Sequence, residues 1–306
     1  MSALNQTIAD TASEGATAAN EMRRGYWSTV WDRLRRDPTT IICAIIVTII
    51  LMAAIFAPLI APYDPYKTSM LNRLAPIGSE KFILGTDELG RDMLSRLIYG
   101  GRVSLFTAIA PVLGALLLGG SLGIIAGFLG GRVNMIIMRT MDVFYAFPSI
   151  LLAIAISGAL GSGVFNAVIS LTLIFMPPIC RVAETVTTQV RNLDFVAAAR
   201  ATPASTMRIL RVHILGNVLG PILIYASSLV SVSIIIASGL SFLGLGVRPP
   251  TPSWGSILND GYTYIRNSKW LLLSAGAPLI LVTIGFTFLG EQLRDIFDPK
   301  INRESK

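Results

Sequence analysis

Residues 194–217 read DFVAAARATPASTMRILRVHILGN, a basic, alanine-rich stretch that is broken by a proline. Its neighbours along the chain are two long runs without Asp, Glu, Lys or Arg, at positions 143–180 and 212–247. Because arginine is costly inside hydrocarbon, the stretch should return to water between two membrane-spanning segments. The contrast predicts a membrane protein that folds one basic segment outside the bilayer.

The amino-acid composition indicates that most of the chain is embedded in a lipid bilayer. Of 306 residues, 53% are hydrophobic and 14% are charged, whereas soluble domains carry about 25% charged residues. Uncharged runs at 41–61, 103–129 and 271–290 each suit one helix, since about 20 apolar residues cross the hydrocarbon core. The runs are continuous and do not alternate, which favours helices over a barrel.

The two longer runs complete the predicted topology. The run at 143–180 is interrupted by SGALGSG at 157–163, so it predicts two spans joined by a tight turn. The run at 212–247 predicts one span near 218–241. We therefore expect an all-α integral membrane fold with six transmembrane helices.

The positive charges orient this topology. With six spans both termini share one side, and a clear majority of the 25 Lys and Arg residues fall on that side. The positive-inside rule makes it cytoplasmic, together with the 194–217 stretch between helices 4 and 5. The net charge of +7 follows from this bias, so we expect lipid and no nucleic acid as a partner.

The spans divide the chain into parts, of which the first external one is too long for a simple connector. We expect a disordered tail at 1–25, an amphipathic lead-in with the first span at 26–62, an external segment at 63–102, a core of five spans at 103–290 that contains a loop at 191–216, and a cytoplasmic tail at 291–306.

Known catalytic and metal-binding motifs are missing from the sequence. It contains no G-x-x-x-x-G-K-[ST], H-E-x-x-H or G-x-S-x-G pattern. Cys43 and Cys180 lie in predicted spans, and His213 is the single histidine. We therefore expect no catalytic residue, no metal site and no cofactor bound by this chain, so any energy source must lie in another protein.

Three glycines recur at steps of four in the second predicted span: Gly119, Gly123 and Gly127. Small residues at this spacing let another helix approach closely. Two interpretations remain open, a helix that lines a pore or contacts another subunit, and ordinary packing within one bundle.

Charged residues cluster in the external segment at Asp87, Glu88, Arg91 and Asp92. One interpretation is a contact with an external partner protein or a second membrane subunit. The other is a salt-bridged surface turn.

Local signals divide the 194–217 stretch into two helices. Asp194 is expected to cap a short helix through position 201, because Asp is a good N-cap and Ala the best helix former. The Thr202–Pro203 pair should break it, and Thr202 is the expected N-cap of the second helix.

The second helix is expected to be amphipathic. Met207, Leu210 and Ile214 would share one face, and Arg208 and Arg211 would lie on another. The alanine-rich first helix would bind lipid weakly but would let a partner protein come close.

This stretch resembles the cytoplasmic E-A-A-x-x-x-G loop of permease subunits in binding-protein-dependent ABC importers. Other blocks resemble the C-type subunit of dipeptide and oligopeptide importers, in the same order over about residues 30–300. They are LGTDELGRDMLSRLIYGGRVSL at 84–105, MDVFYAFPSILLAI at 141–154, LSFLGLGVRPPTPSWGSILNDG at 240–261 and LRDIFDPK at 293–300.

The resemblance implies a type I importer fold in the inner membrane, in which the first helix of the loop is a coupling helix that docks on a cytoplasmic ATPase. It implies two ATPase subunits holding ATP and Mg, a second permease subunit and an external binding protein. Short peptides are the implied cargo, with glutathione or nickel chelates as alternatives. A stand-alone carrier is disfavoured because no acidic residue lies deep in a predicted span, and a scaffold because the loop is elaborate.

The implied coupling residues depart from the family pattern at two positions. Ala197 stands in place of the glutamate and Pro203 in place of the glycine. Docking would then rely on shape and basic residues, or the second permease would supply the carboxylate, with Asp194 a weaker substitute. The coupling residues are Asp194, Phe195, Ala197, Ala198, Ala199, Arg200, Ala201, Pro203, Arg208 and Arg211.

Overall fold

The computed structural model describes residues 37–297, and these residues form helices without an extended β-strand. The expectations for 1–25, for the lead-in at 26–36 and for 298–306 lie outside them. Five helices are long and apolar enough to cross a membrane, and one bent helix pair provides a sixth. The predicted all-α fold with six spans is confirmed when this pair counts as one span.

The first span, α1, covers Pro38–Ile55 and is followed by a short helix, α2, at Ala57–Ile60. The carboxylate of Asp37 caps α1 by accepting hydrogen bonds from the backbone N–H groups of Thr39 and Thr40 at 3.3 and 3.0 Å. Only 22% of α1 is buried within this chain, so its apolar surface is available to lipid or another subunit.

The second span comprises α3 at Met93–Ala115, a π-helical turn at Leu116–Gly120 and α4 at Ser121–Leu129. It begins well before position 103, where sequence analysis began it. Asp92 caps α3 by accepting a hydrogen bond at 2.8 Å from the backbone N–H three residues later. Arg96 can lie inside the helix because it forms ion pairs with buried or half-buried carboxylates.

The third span is a pair of helices, α5 at Gly131–Tyr145 and α6 at Ser149–Leu160, with an 88° bend between them. The pair begins before the uncharged run at 143–180, and it ends at the glycine turn. Pro148 lies at the bend, where it disfavours helical geometry in the residue before it.

A glycine turn joins α6 to α7 at Val164–Arg191. The turn is shorter than the expected 157–163, because the residues before Gly161 remain helical. Gly161 and Gly163 have φ values of 82° and 153°, which glycine adopts without steric cost.

Helix α7 lies at the centre of the bundle. Leu171, Ile179 and Cys180 are buried on it, and α7 contacts α3, α4, α6 and a long later helix, α10. The remaining elements are α8 at Asp194–Arg200, α9 at Thr206–Ile209, a π-helical turn at Leu210–Ile214, α10 at Leu215–Phe242, α11 at Trp254–Thr263 and α12 at Lys269–Phe297.

Candidate functional site

Helix α8 is the expected short helix at the start of the 194–217 stretch. Its N-cap is Leu193, with extended backbone, and Asp194 is the first helical residue. The expectation that Asp194 caps the helix is therefore wrong by one position. Its carboxylate still lies in the first turn, where the helix dipole favours negative charge.

One face of α8 is buried and the other is covered by small side chains. Val196 is fully buried and Ala199 is 9% exposed, which fixes the helix to the bundle. Ala197 and Ala198 are exposed on the other side, next to Phe195. Another protein could therefore approach the α8 backbone closely.

The end of α8 differs from the expectation for Thr202. The Thr202 hydroxyl donates a hydrogen bond at 2.7 Å to the carbonyl of Ala199, so it caps the end of α8. The N-cap of α9 is Ser205, whose hydroxyl accepts a hydrogen bond from the Arg208 N–H at 3.3 Å. Pro203 lies exposed in the turn before α9 and does not begin it.

The face expected for the second helix forms only in part, since Leu210 and Ile214 pack against the core and Met207 does not. Ile214 is buried, but Met207 is 55% exposed. The π-helical turn at Leu210–Ile214 changes the helical register, which places Met207 away from the buried side. Arg208 and Arg211 are exposed, and their side chains form no ion pair with residues 37–297.

Arg200 and Arg191 both point to the end of α4. The guanidinium carbon of Arg200 lies 5.6 Å from the centre of the Phe128 ring. Arg191 Nη1 lies 3.4 Å from the Phe128 carbonyl oxygen, to which it donates a hydrogen bond. Sequence analysis missed Phe128 and Arg191, because contacts across more than 60 positions leave no local signal.

The glycine stripe of the second span faces α7 of the same chain. A Cβ added to Gly119 or Gly123 would overlap the carbonyl group of Met176 or Cys180. At Gly127 the added Cβ would lie 2.6 Å from the Glu184 carbonyl oxygen. The glycines therefore let α4 and the adjoining π-helical turn pack directly against α7.

The external charged cluster is buried in the chain. Asp87, Arg91 and Asp92 are 2%, 5% and 3% exposed. Arg91 forms ion pairs with Asp87 at 2.6 Å and with Glu88 at 2.9 Å. The expected salt bridges are therefore present, but they are buried in the chain and do not lie at its surface.

Two residues missed by sequence analysis complete this cluster. Arg96, on α3, is 3.1 Å from Asp87 and 3.5 Å from Asp260, on α11. Asp92 caps α3, and the other three residues together with Arg96 and Asp260 join the segment between α2 and α3 to both α3 and α11. We call Asp87, Glu88, Arg91, Arg96 and Asp260 the external ionic cluster.

The carboxyl groups of Glu88 and Asp260 lie in an environment that disfavours their ionised form. Burial raises the pKa of Glu88 above its ordinary value, as do the charges of Asp87 and Asp260, while Arg91 opposes the change. Burial also raises the pKa of Asp260, against the opposing effect of Arg96. Folding therefore favours the protonated form of both carboxyl groups.

Glu88→Gln is expected to stabilise the chain near neutral pH. The pKa of Glu88 is higher in the folded chain than in the unfolded chain. The ionised side chain therefore lowers the free energy of unfolding above the folded pKa, and this effect is lost as the pH falls through the folded pKa towards the unfolded pKa. The gain should be small, about 2 °C in detergent, since the group is partly solvated. An equal gain at acidic pH would show that packing, and not charge, is responsible.

A second ionic contact, also missed by sequence analysis, lies at the bend between α5 and α6. Arg181 Nη2 is 2.6 Å from Asp142 Oδ1, and its guanidinium carbon lies 4.9 Å from the centre of the Tyr145 ring. These side chains join α7 to the last turn of α5. Asp142 was recognised only as an acidic residue at the edge of a span.

Known families match most of the chain. The family described as "Binding-protein-dependent transport system inner membrane component" matches residues 119–303. The "N-terminal TM domain of oligopeptide transport permease C" matches residues 25–76.

Curated relatives are similar over nearly their full lengths. The di/tripeptide transport system permease protein DppC of Pseudomonas aeruginosa is 40% identical over 83% of this chain and 85% of that protein. The dipeptide transport system permease protein DppC of Alkalihalophilus pseudofirmus is 38% identical over 90% of both. The glutathione transport system permease protein GsiD of Pectobacterium atrosepticum is 35% identical over 91% of this chain and 92% of that protein.

A solved structure has the same fold. An inward-facing conformation of the MetNI methionine ABC transporter contains a chain that matches with a TM-score of 0.56 at 18% identity. The match covers 67% of this chain and 98% of that chain.

Proposed function

The chain belongs to the family of inner membrane components of binding-protein-dependent transport systems, and from this premise we propose that it moves short peptides into the cytoplasm. Short peptides are proposed as the substrate because relatives named for di- and tripeptides are up to 40% identical over most of the chain. A relative named for glutathione is 35% identical, so glutathione is the second candidate.

Transport in this proposal is driven by other subunits. Two cytoplasmic ATPases hold ATP and Mg, and this chain pairs with a second permease subunit while an external binding protein delivers the peptide. Helix α8 supports the proposal, because it is fixed on one side by Val196 and exposes Ala197 and Ala198 on the other. That surface suits close docking in a groove of an ATPase.

The proposed docking relies on shape and on positive charge. Ala197 provides no carboxylate for an ion pair, so a close fit to the small α8 face replaces it. Arg208 and Arg211 are exposed on the segment that follows α8, where they can attract acidic residues of the ATPase. In the alternative arrangement, the second permease subunit supplies the carboxylate.

The proposed topology places α8 and both termini in the cytoplasm. Six spans, with the bent α5–α6 pair counted as one, return the chain to the side from which it started. The excess of Lys and Arg on that side supports the cytoplasmic assignment.

Reconstitution of the complete complex tests the proposal. We expect labelled dipeptide to accumulate in proteoliposomes only with the ATPases, ATP and the binding protein. Excess unlabelled glutathione or nickel chelate should not reduce the uptake of labelled dipeptide. Dissipating a proton gradient should not change this uptake either. Proton-driven uptake by this chain alone would refute the proposal. If glutathione competed selectively with the labelled dipeptide, glutathione and not a dipeptide would be the transported substrate.

A further inference from the structure

The basic residues of the α8–α9 region fall into two classes. Arg208 and Arg211 are exposed and available to a partner. Arg200 is also exposed, but it lies over the ring of Phe128, with 5.6 Å between its guanidinium carbon and the ring centre. Phe128 is only 8% exposed, so Arg200 contacts a fixed group within this chain.

The backbone of Phe128 is held from a second direction. Arg191, the last residue of α7, donates a hydrogen bond to the Phe128 carbonyl at 3.4 Å. Gly130, with φ of 68°, leaves space for this side chain, since an added Cβ would lie 2.5 Å from Arg191 Nη1. The end of α4 is thus joined both to α7 and to α8.

Helices α4 and α7 are themselves tightly packed. Gly123 and Gly127 bring α4 against the backbone of α7 at Cys180 and Glu184. Asn134, at the start of α5, adds a hydrogen bond of 2.6 Å to the Glu184 carboxylate. Close packing of this kind transmits displacement, because neither helix can move far without the other.

The connection from α8 to α10 is less regular. It consists of the turn that contains Pro203, the four-residue helix α9 and the π-helical turn at Leu210–Ile214. Ile209 and Ile214 anchor this connection in the core, but its proline turn and its change of helical register make it less regular than the packed α4–α7 pair. A displacement of α8 should therefore be followed more closely by α4 and α7 than by α10.

We propose that Arg200, Phe128 and Arg191 are positioning residues that fix α8 to the α4–α7 pair, so that ATPase movement is delivered first to these two helices. The inference rests on the proposed function of α8 as the coupling helix. Arg200 acts through Phe128 and is not an ATPase contact, in contrast to Arg208. The expectation that Arg200 docks the ATPase directly is the competing prediction, and the two differ in whether Arg200→Ala weakens ATPase binding.

The test uses the complete complex and compares Arg200→Ala, Phe128→Leu and Arg208→Ala. Three quantities are measured: ATPase copurification, ATP hydrolysis, and dipeptide uptake per ATP hydrolysed. Arg200→Ala and Phe128→Leu should lower uptake per ATP by about 2- to 30-fold, the range in which such couplings fall. Arg200→Lys and Phe128→Tyr should restore it, because each keeps the cation or the ring.

The control and the double variant make the test decisive. Arg208→Ala should weaken ATPase copurification and leave uptake per ATP unchanged. Combining Arg200→Ala with Phe128→Leu should cost no more than either substitution alone, since both remove one contact. Additive losses, or a loss of copurification in Arg200→Ala, would overturn the inference. Failure of any ATPase to copurify with the unaltered chain would refute the proposed function instead.

Discussion

Ala198→Trp is expected to abolish ATP-coupled peptide uptake, while the chain still folds and inserts into the membrane. Ala198 is exposed on α8, on the side opposite the buried Val196. A large ring there would hold the ATPase away from the helix, and overpacking a close interface costs about 1–3 kcal/mol or more. ATPase binding should weaken at least about tenfold, as measured by copurification and dipeptide uptake.

The matched control at this position is Ala198→Ser, which keeps the small volume. It should retain ATPase binding and uptake close to those of the unaltered chain. If Ala198→Trp transports normally, the exposed α8 face does not dock. If Ala198→Ser lowers ATPase binding and uptake as much as Ala198→Trp does, side-chain volume is not the property that matters at this position.

Asp87→Ala is expected to destabilise the chain strongly. Asp87 pairs with both Arg91 and Arg96, and these arginines are 5% and 3% exposed. Removing the Asp87 carboxylate leaves two buried arginines with less negative charge nearby. Breaking a buried ion pair in this way typically lowers the free energy of unfolding by about 3–5 kcal/mol. The expected readouts are a lower melting temperature in detergent and faster proteolysis within residues 61–92.

Asp142→Ala is the comparison for this second experiment. Asp142 also forms ion pairs, with Arg181 and Arg139, but the side chains of Asp142 and Arg181 are 42% and 49% exposed. Exposed pairs contribute about 0–1 kcal/mol, so its effect on the melting temperature should be several times smaller. Equal effects of the two substitutions would contradict a stabilising role of the external ionic cluster.

Long-range contacts explain why sequence analysis misjudged this cluster. The charges around position 90 resemble a solvated turn, because their burial depends on α11, far along the chain. Asp260 reaches Arg96 only when α11 packs against α3. The α3 helix begins at Met93, before the apolar run, because Asp92 caps it.

The α8–α9 region was foreseen in outline and not in detail. The alanine content predicted a short helix ending near Pro203, and α8 ends at Arg200. Both N-cap assignments were wrong, since capping depends on backbone angles that a single turn can shift. The contact of Arg200 with Phe128 could not be foreseen, because Phe128 lies in another span.

By itself, the sequence determined that most of the chain is surrounded by lipid, that the fold is all-α and that it has six candidate spans. These features depend on local hydrophobicity, which is a property of consecutive residues. Only the tertiary structure decided which charges are buried, where the third span bends and which helix Arg200 contacts. Those features depend on pairs of residues that are distant in the chain, and whether such a pair can satisfy its charges and fill its space is settled only when the helices pack.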